Sequence, residues 1–204
     1  MPGTSQAPDC RVPNWLYVAG AGRSGTTLLG MVLAREPGVF NCGELIHLWS
    51  RLSANALCQC EAPVTRCEVW ADVAVGVRRQ LGSPSFAELA ERIASLRPWH
   101  LDVRLPRPTA ADVELREVTE RVIEEVTGAT TLIDTSKSAY VLATATYRAR
   151  PLTVVHLVRD PRAVAYSNLR SKTDPAQGGA VHLAPRPVWK SALQWGLANL
   201  RTER

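Results

Sequence analysis

A chain of 204 residues has the size of one domain, and 46% hydrophobic with 21% charged residues supplies enough apolar material for a packed core. No apolar run reaches the roughly 18 residues of a membrane span, and the polar, proline-broken start lacks a signal-peptide pattern, so a soluble, cytoplasmic protein is expected. The net charge of +5 rests almost wholly on Arg and favours anionic partners; without a basic run interleaved with aromatics, a small polyanion is expected rather than nucleic acid.

In chain order, residues 1–13 read as a flexible leader and 14–204 as a single domain. WLYVA (15–19) is a short apolar strand, GAGRSGTT a tight loop, and LLGMVLAREPG a helix that ends near Glu36, before Pro37 and Gly38. Val39 and Phe40 start a second short strand, followed by NCGE and an apolar helix, LIHLWSRL. Three cysteines, Cys58, Cys60 and Cys67, follow in a C-x-C-x6-C pattern, with Cys42 and His47 upstream. Zinc ligands usually come as paired CxxC-type knuckles, so this spacing reads as a reduced structural cluster or a local disulfide, and no metal site is expected.

Residues 68–80 and 85–96 read as helices, the second capped by Ser85 with Glu88 three residues on. Residues 97–109, with three prolines, form a linker. Residues 110–127 have the clearest amphipathic pattern, with Val113, Leu115, Val118, Val122, Ile123 and Val126 on one face. TTLID (130–134) is a buried strand ending in an acid, and a helix from about Ser138 to Ala149 follows. LTVVHLV (152–158) is an unbroken β-branched strand, and PRAVAYSNLRS opens a helix with Pro at N1. Residues 173–187 are a Gly/Pro-rich loop, and 188–203 a helix with Trp189, Leu193, Leu197 and Leu200 along one side.

Apolar strands alternating with helices indicate an α/β fold whose parallel sheet is covered by helices on both faces. Ligands of such sheets sit beyond the carboxyl ends of the strands. The three clearest strands end there in GAGRSGTT, DTSKS and RDPRAVAYS.

The first loop has strand–loop–helix context, where successive N–H groups form an anion site and glycines let the chain approach a phosphate. Its Gly20-to-Gly25 spacing equals that of a Walker A loop, but Thr26 stands where that loop needs Lys. The cation is Arg23, whose guanidinium can fork two oxygens of a phosphate or sulfonate, and Ser24, Thr26 and Thr27 add hydroxyl donors beside Gly25.

GRSGTTLL resembles the 5′-phosphosulfate loop of the sulfotransferase superfamily, whose donor is 3′-phosphoadenosine 5′-phosphosulfate; the Arg form resembles the carbohydrate and tyrosylprotein branches. Arg159 followed eight residues later by Ser167 resembles the family's 3′-phosphate motif, with Asp160 as a helix cap. The resemblance runs through anchors between residues 15 and 170, and CQCEAPVTRCEVW is similar to a cysteine-containing stretch of bacterial members.

The resemblance implies a P-loop-like sulfotransferase fold and transfer of a sulfonate to a hydroxyl. It also implies that Glu44 in CGELIHLW is the base and that Lys137 reaches the bridging oxygen, with no metal required. His47 is the substitute base, and Asp134 orients Lys137 or Arg23. Ile46 stands where tyrosylprotein sulfotransferases carry Arg, so a carbohydrate, lipid or other small-molecule acceptor is expected rather than a peptide. Family members continue past a helix like 188–203 into another strand and a donor-contacting loop. The chain is therefore expected to lack these, to leave a sheet edge unpaired, and to self-associate. Asp134, at a strand end as a Walker B acid would be, keeps a P-loop kinase or NTPase as an alternative; a non-catalytic nucleotide-binding relative is the other.

Overall fold

A computed structural model describes residues 15–95, 107–145, 147, 150–170, 172–173 and 182–203. The leader 1–13, most of the 97–109 linker and most of the 173–187 loop lie outside the described residues.

Four short strands, β1 (Trp15–Ala19), β2 (Val39–Asn41), β3 (Thr131–Asp134) and β4 (Thr153–His156), form one parallel sheet in the order β2-β3-β1-β4. Tyr17 is paired with Asp134, and Ala19 with His156, so the carboxyl ends of the three longer strands finish side by side. The connection leaving β1 runs to one edge of the sheet and the connection leaving β3 runs to the other. That divergence opens a crevice above their carboxyl ends, where α/β sheets bind ligands.

The helices are α1 (Thr26–Leu33), α2 (Leu48–Ser53), α3 (Glu68–Gln80), α4 (Phe86–Ser95), α5 (Ala110–Thr127), α6 (Ala139–Ala145), α7 (Pro161–Leu169) and α8 (Val188–Thr202). The expected Ser85 cap forms: Glu88 N–H donates to Ser85 Oγ, and Ser85 N–H donates to the Glu88 carboxylate at 2.6 Å. Thr109 and Asp112 build the same reciprocal cap on α5. Asp160 caps α7 by accepting from Arg162 N–H at 2.8 Å, with Pro161 at N1.

The main core joins Trp15 and Leu132 of the sheet to Trp49, Val73, Val77, Leu115, Val122 and Ile123, all buried. A Cβ on Gly76 of α3 would lie 2.6 Å from Val122 of α5, so this close helix contact depends on glycine. A smaller cluster, Tyr17, Ala19 and Val141, lies under β1 and α6. Among the described residues, no helix is long and apolar enough to cross a membrane.

Three elements differ in detail from the sequence expectation. The 152–158 run was expected to be one unbroken strand, but β4 covers only Thr153–His156; among the described residues it pairs with β1 alone, at the sheet edge, and Val154 is 43% exposed. Where a loop was expected over 173–187, Lys172–Thr173 (β5) and His182–Leu183 (β6) pair antiparallel, which satisfies their backbone groups within the chain. On α8, three residues of the expected apolar side are open to solvent: Trp189 is 65%, Leu193 42% and Leu200 49% exposed. The inward row is Ser191, Trp195 and Asn199, spaced by four, and it attaches by hydrogen bonds. Asn168 donates to Ser191 Oγ, Trp195 Nε1 donates to Arg159 O at 2.8 Å, and Asn199 Oδ1 meets His156 Nε2 at 2.9 Å.

Candidate active site

The loop after β1 is shaped by its backbone. Gly20 has φ 137, and a Cβ there would lie 2.3 Å from Leu157 O, so only glycine lets this loop pass the end of β4. Arg23 takes a left-handed φ of 70, uncommon for a residue with a side chain, and Gly25 with φ 101 precedes the first turn of α1. No side chain caps α1, so its first N–H groups have no side-chain acceptor. Ser24 is buried, and its Oγ has no hydrogen-bond partner among the described residues. Thr26 is buried, while Thr27 and Arg23 are open.

The segments carrying Glu44 and Lys137 are stitched together. Cys42 N–H donates to Ile133 O, Thr135 N–H donates to Gly43 O, and Ile46 N–H donates to Ser136 Oγ at 3.0 Å. Ser136 Oγ also donates to Asp134, whose Oδ1 accepts Ser136 N–H at 2.7 Å. Ser138 N–H donates to the buried Tyr17 hydroxyl at 2.7 Å. Burial, then the charge of Asp134, pushes that phenol far above its ordinary value, so it stays protonated.

This stitching brings Lys137 Nζ to 2.6 Å from Glu44 Oε1 and 2.6 Å from Thr135 O, with Lys137 in a left-handed backbone conformation, φ 52. His47 Nε2 lies 3.4 Å from the other Glu44 oxygen. Burial opposes the charge on Glu44, but the His47 hydrogen bond and the charge and hydrogen bond of Lys137 outweigh it, holding the carboxyl down at about 2.

Asp134 does not orient Lys137 or Arg23. It is fully buried, with one oxygen on Ser136 and the other 2.9 Å from Arg116 Nη2, because Arg116 reaches the strand end from α5, paired with Glu120 and stacked over Trp15. This buried network is among the features that the sequence does not announce.

A cleft of about 670 Å³ opens over these groups. Its lining takes Arg23, Gly25, Thr26 and Thr27 from the first loop, together with Glu44 and Lys137. The opposite wall is Asn168, Arg170, Arg186, Gln194 and Trp195, from the end of α7, the segment before α8, and α8 itself. Four basic side chains, Arg23, Lys137, Arg170 and Arg186, thus face the cleft against one carboxylate, Glu44. Arg170 and Arg186 were not foreseen. They flank the Gly/Pro-rich loop and come together because Arg186 N–H donates to Asn168 O at 2.9 Å.

Arg159 and Ser167 stand beside the cleft rather than among its lining residues. Arg159 Nη1 donates to Arg23 O at 3.0 Å, so this guanidinium braces the first loop, and Asp160 pairs with Arg162 instead of Arg159. Ser167 lies on α7, about two turns from its start. The four described cysteines are free thiols, so the local disulfide is not formed.

No family model matches this chain, and neither does any curated protein or solved structure.

Proposed function

We propose that the chain is a sulfotransferase that moves a sulfonate from 3′-phosphoadenosine 5′-phosphosulfate to the hydroxyl of a carbohydrate, lipid or other small molecule. The observation that carries the reading is the cleft itself, where a phosphate-type loop carrying Arg23 in place of its lysine faces a Glu44–Lys137 pair and two further arginines, Arg170 and Arg186. The chain's residues fit such a donor. Uncapped N–H groups at α1, the orphaned Ser24 hydroxyl and the Arg23 fork suit a 5′-phosphosulfate. Arg170 and Arg186 supply further positive charge, and Arg159 with Ser167 remains the pair for a 3′-phosphate beside the loop.

The donor supplies an activated sulfonate whose leaving group is a phosphate. In the resting site Lys137 neutralises Glu44, and the carboxylate near 2 is a weak base. An anion seated on the first loop draws Lys137 Nζ away from Glu44 toward the bridging oxygen. Glu44 then loses its charge partner, its carboxyl rises, and it becomes a stronger base beside the acceptor. The acceptor proton passes to Glu44, the acceptor oxygen bonds to sulfur, and the bond from sulfur to the bridging oxygen breaks. The electron pair of that bond goes to the phosphate, where Lys137 and Arg23 stabilise the charge.

The kinase alternative is weakened by Thr26 and by the full engagement of Asp134 with Ser136 and Arg116. The tight Glu44–Lys137 pair favours one other reading, a donor-binding protein without turnover. Transfer of labelled sulfonate to a panel of hydroxyl acceptors, with a metal chelator present, separates the three. Turnover that is lost in Arg23→Ala supports the sulfotransferase; donor binding without turnover supports the binding protein; a strict magnesium requirement with ATP supports the kinase.

A further inference from the structure

The three cysteines of the C-x-C-x6-C segment lie outside the cleft and take no part in the proposed transfer. The fold nevertheless brings them together. Leu57 and Pro63 form an antiparallel bridge, Cys58 N–H donates to Ala62 O, and Glu61, with φ 67, turns the chain between them. This small hairpin carries Cys58 and Cys60. The following turn ends at Cys67, the residue that opens α3. As a result the Sγ atoms of Cys58, Cys60 and Cys67 all lie within 4.8 Å of one another, and Cys58 and Cys67 are 3.6 Å apart.

These spacings suit a metal. Bonds of about 2.3 Å at the tetrahedral angle place zinc-bound sulfurs roughly 3.8 Å apart, whereas a disulfide needs about 2.05 Å. The backbone N–H of Cys60 interacts with Cys58 Sγ, and that of Ala62 with Cys60 Sγ, the kind of outer contact that orients thiolate ligands. Cys67 sits at the N-terminus of a 13-residue helix, where the dipole favours negative charge. Soft thiolates select zinc among common divalent ions.

We propose that Cys58, Cys60 and Cys67 bind one zinc ion as a three-thiolate site, with an exogenous ligand such as water in the fourth position. Among the described residues no His, Asp, Glu or further Cys joins the group, and Cys60 is exposed, so the open position faces solvent. The ion would clip the 57–63 hairpin to the start of α3, where Val64 N–H already donates to Ala56 O just past α2. It would thereby brace the helices that carry the main core.

The test titrates the reduced, chelator-stripped full chain with zinc against a chromogenic competitor. One zinc per chain is expected, with a rise in Tm, and X-ray absorption should count three sulfur neighbours at about 2.3 Å. Cys60→Ser, which alters only an exposed thiol, should weaken binding by at least the roughly 10–100-fold that loss of an outer-shell partner costs. Equal affinity in Cys60→Ser, or no binding by the reduced parent, overturns the proposal. So does a Cys58–Cys67 disulfide that forms in air while the reduced chain ignores zinc. Each readout is independent of sulfonate transfer.

Discussion

In the proposed transfer Glu44 and Lys137 carry most of the chemistry, and in the structure they pair with each other at 2.6 Å. For Glu44 the folded carboxyl, near 2, is below its ordinary 4.5. The pair therefore adds stability above about pH 4.5, and that contribution fades as the pH falls from there toward 2. Lys137→Met should raise the Glu44 carboxyl, read by carbon-13 NMR titration, and should remove transfer. An unmoved titration would mean that His47 alone holds the carboxylate. Glu44→Gln should leave donor affinity nearly intact while slowing transfer by about 10²–10⁴-fold, the usual scale for a lost general base. If that variant turns over normally, His47 is the next base to test. Arg159→Ala and Ser167→Ala should weaken binding of 3′-phosphoadenosine 5′-phosphate much more than binding of its 3′-dephospho analogue. Equal losses for both nucleotides would assign Arg159 to bracing the Arg23 carbonyl alone, the contact it makes here.

At the scale of elements, α8 is held by its polar side. Its row of Trp189, Leu193 and Leu200 faces outward, while Ser191, Trp195 and Asn199 attach it to α7 and to the ends of β4. Periodicity identified the helix and its apolar side, but not the three hydrogen bonds by which the other side attaches. Trp195→Phe, which removes one such bond while keeping a ring, should cost about 0.5–1.5 kcal/mol in denaturant unfolding. Leu193→Gln should stay within about 0.5 kcal/mol, as exposed substitutions do. A loss of several kcal/mol in Leu193→Gln would place that side chain in a core. α4 and α5 were legible because amphipathic patterning and capping residues fix them locally. The Ser136 bridge from Asp134 to Ile46 was not, since it joins segments 90 residues apart and a serine in a loop has no pattern. Arg170 and Arg186 were hidden for the same reason: only the pairing of the loop ends brings them to the cleft.

Across the whole molecule, β4 forms one sheet edge, its outer side without a strand neighbour among the described residues and Val154 exposed, and α1 and α8 also present Leu28, Met31, Val32 and Trp189 to solvent. Unpaired edges and contiguous apolar surface invite association. The purified 204-residue chain should therefore self-associate in light scattering, and Val154→Lys should shift it toward monomer. A monodisperse parent chain would contradict this. The strand order could not be read from the sequence, because crossover connections of similar length reach either side of β1. Once that order is known, the site follows: the β1 and β3 ends lie together, and the loops after them supply Arg23 and Lys137. Calorimetry with 3′-phosphoadenosine 5′-phosphate in the presence of a metal chelator tests the central claim most directly. The account predicts saturable one-to-one binding, much tighter than for adenosine 5′-phosphate and weakened in Arg23→Ala by about 2–4 kcal/mol, the cost of losing a desolvated charged hydrogen bond. No binding heat, or equal affinity for the two nucleotides with Arg23→Ala unchanged, would contradict it.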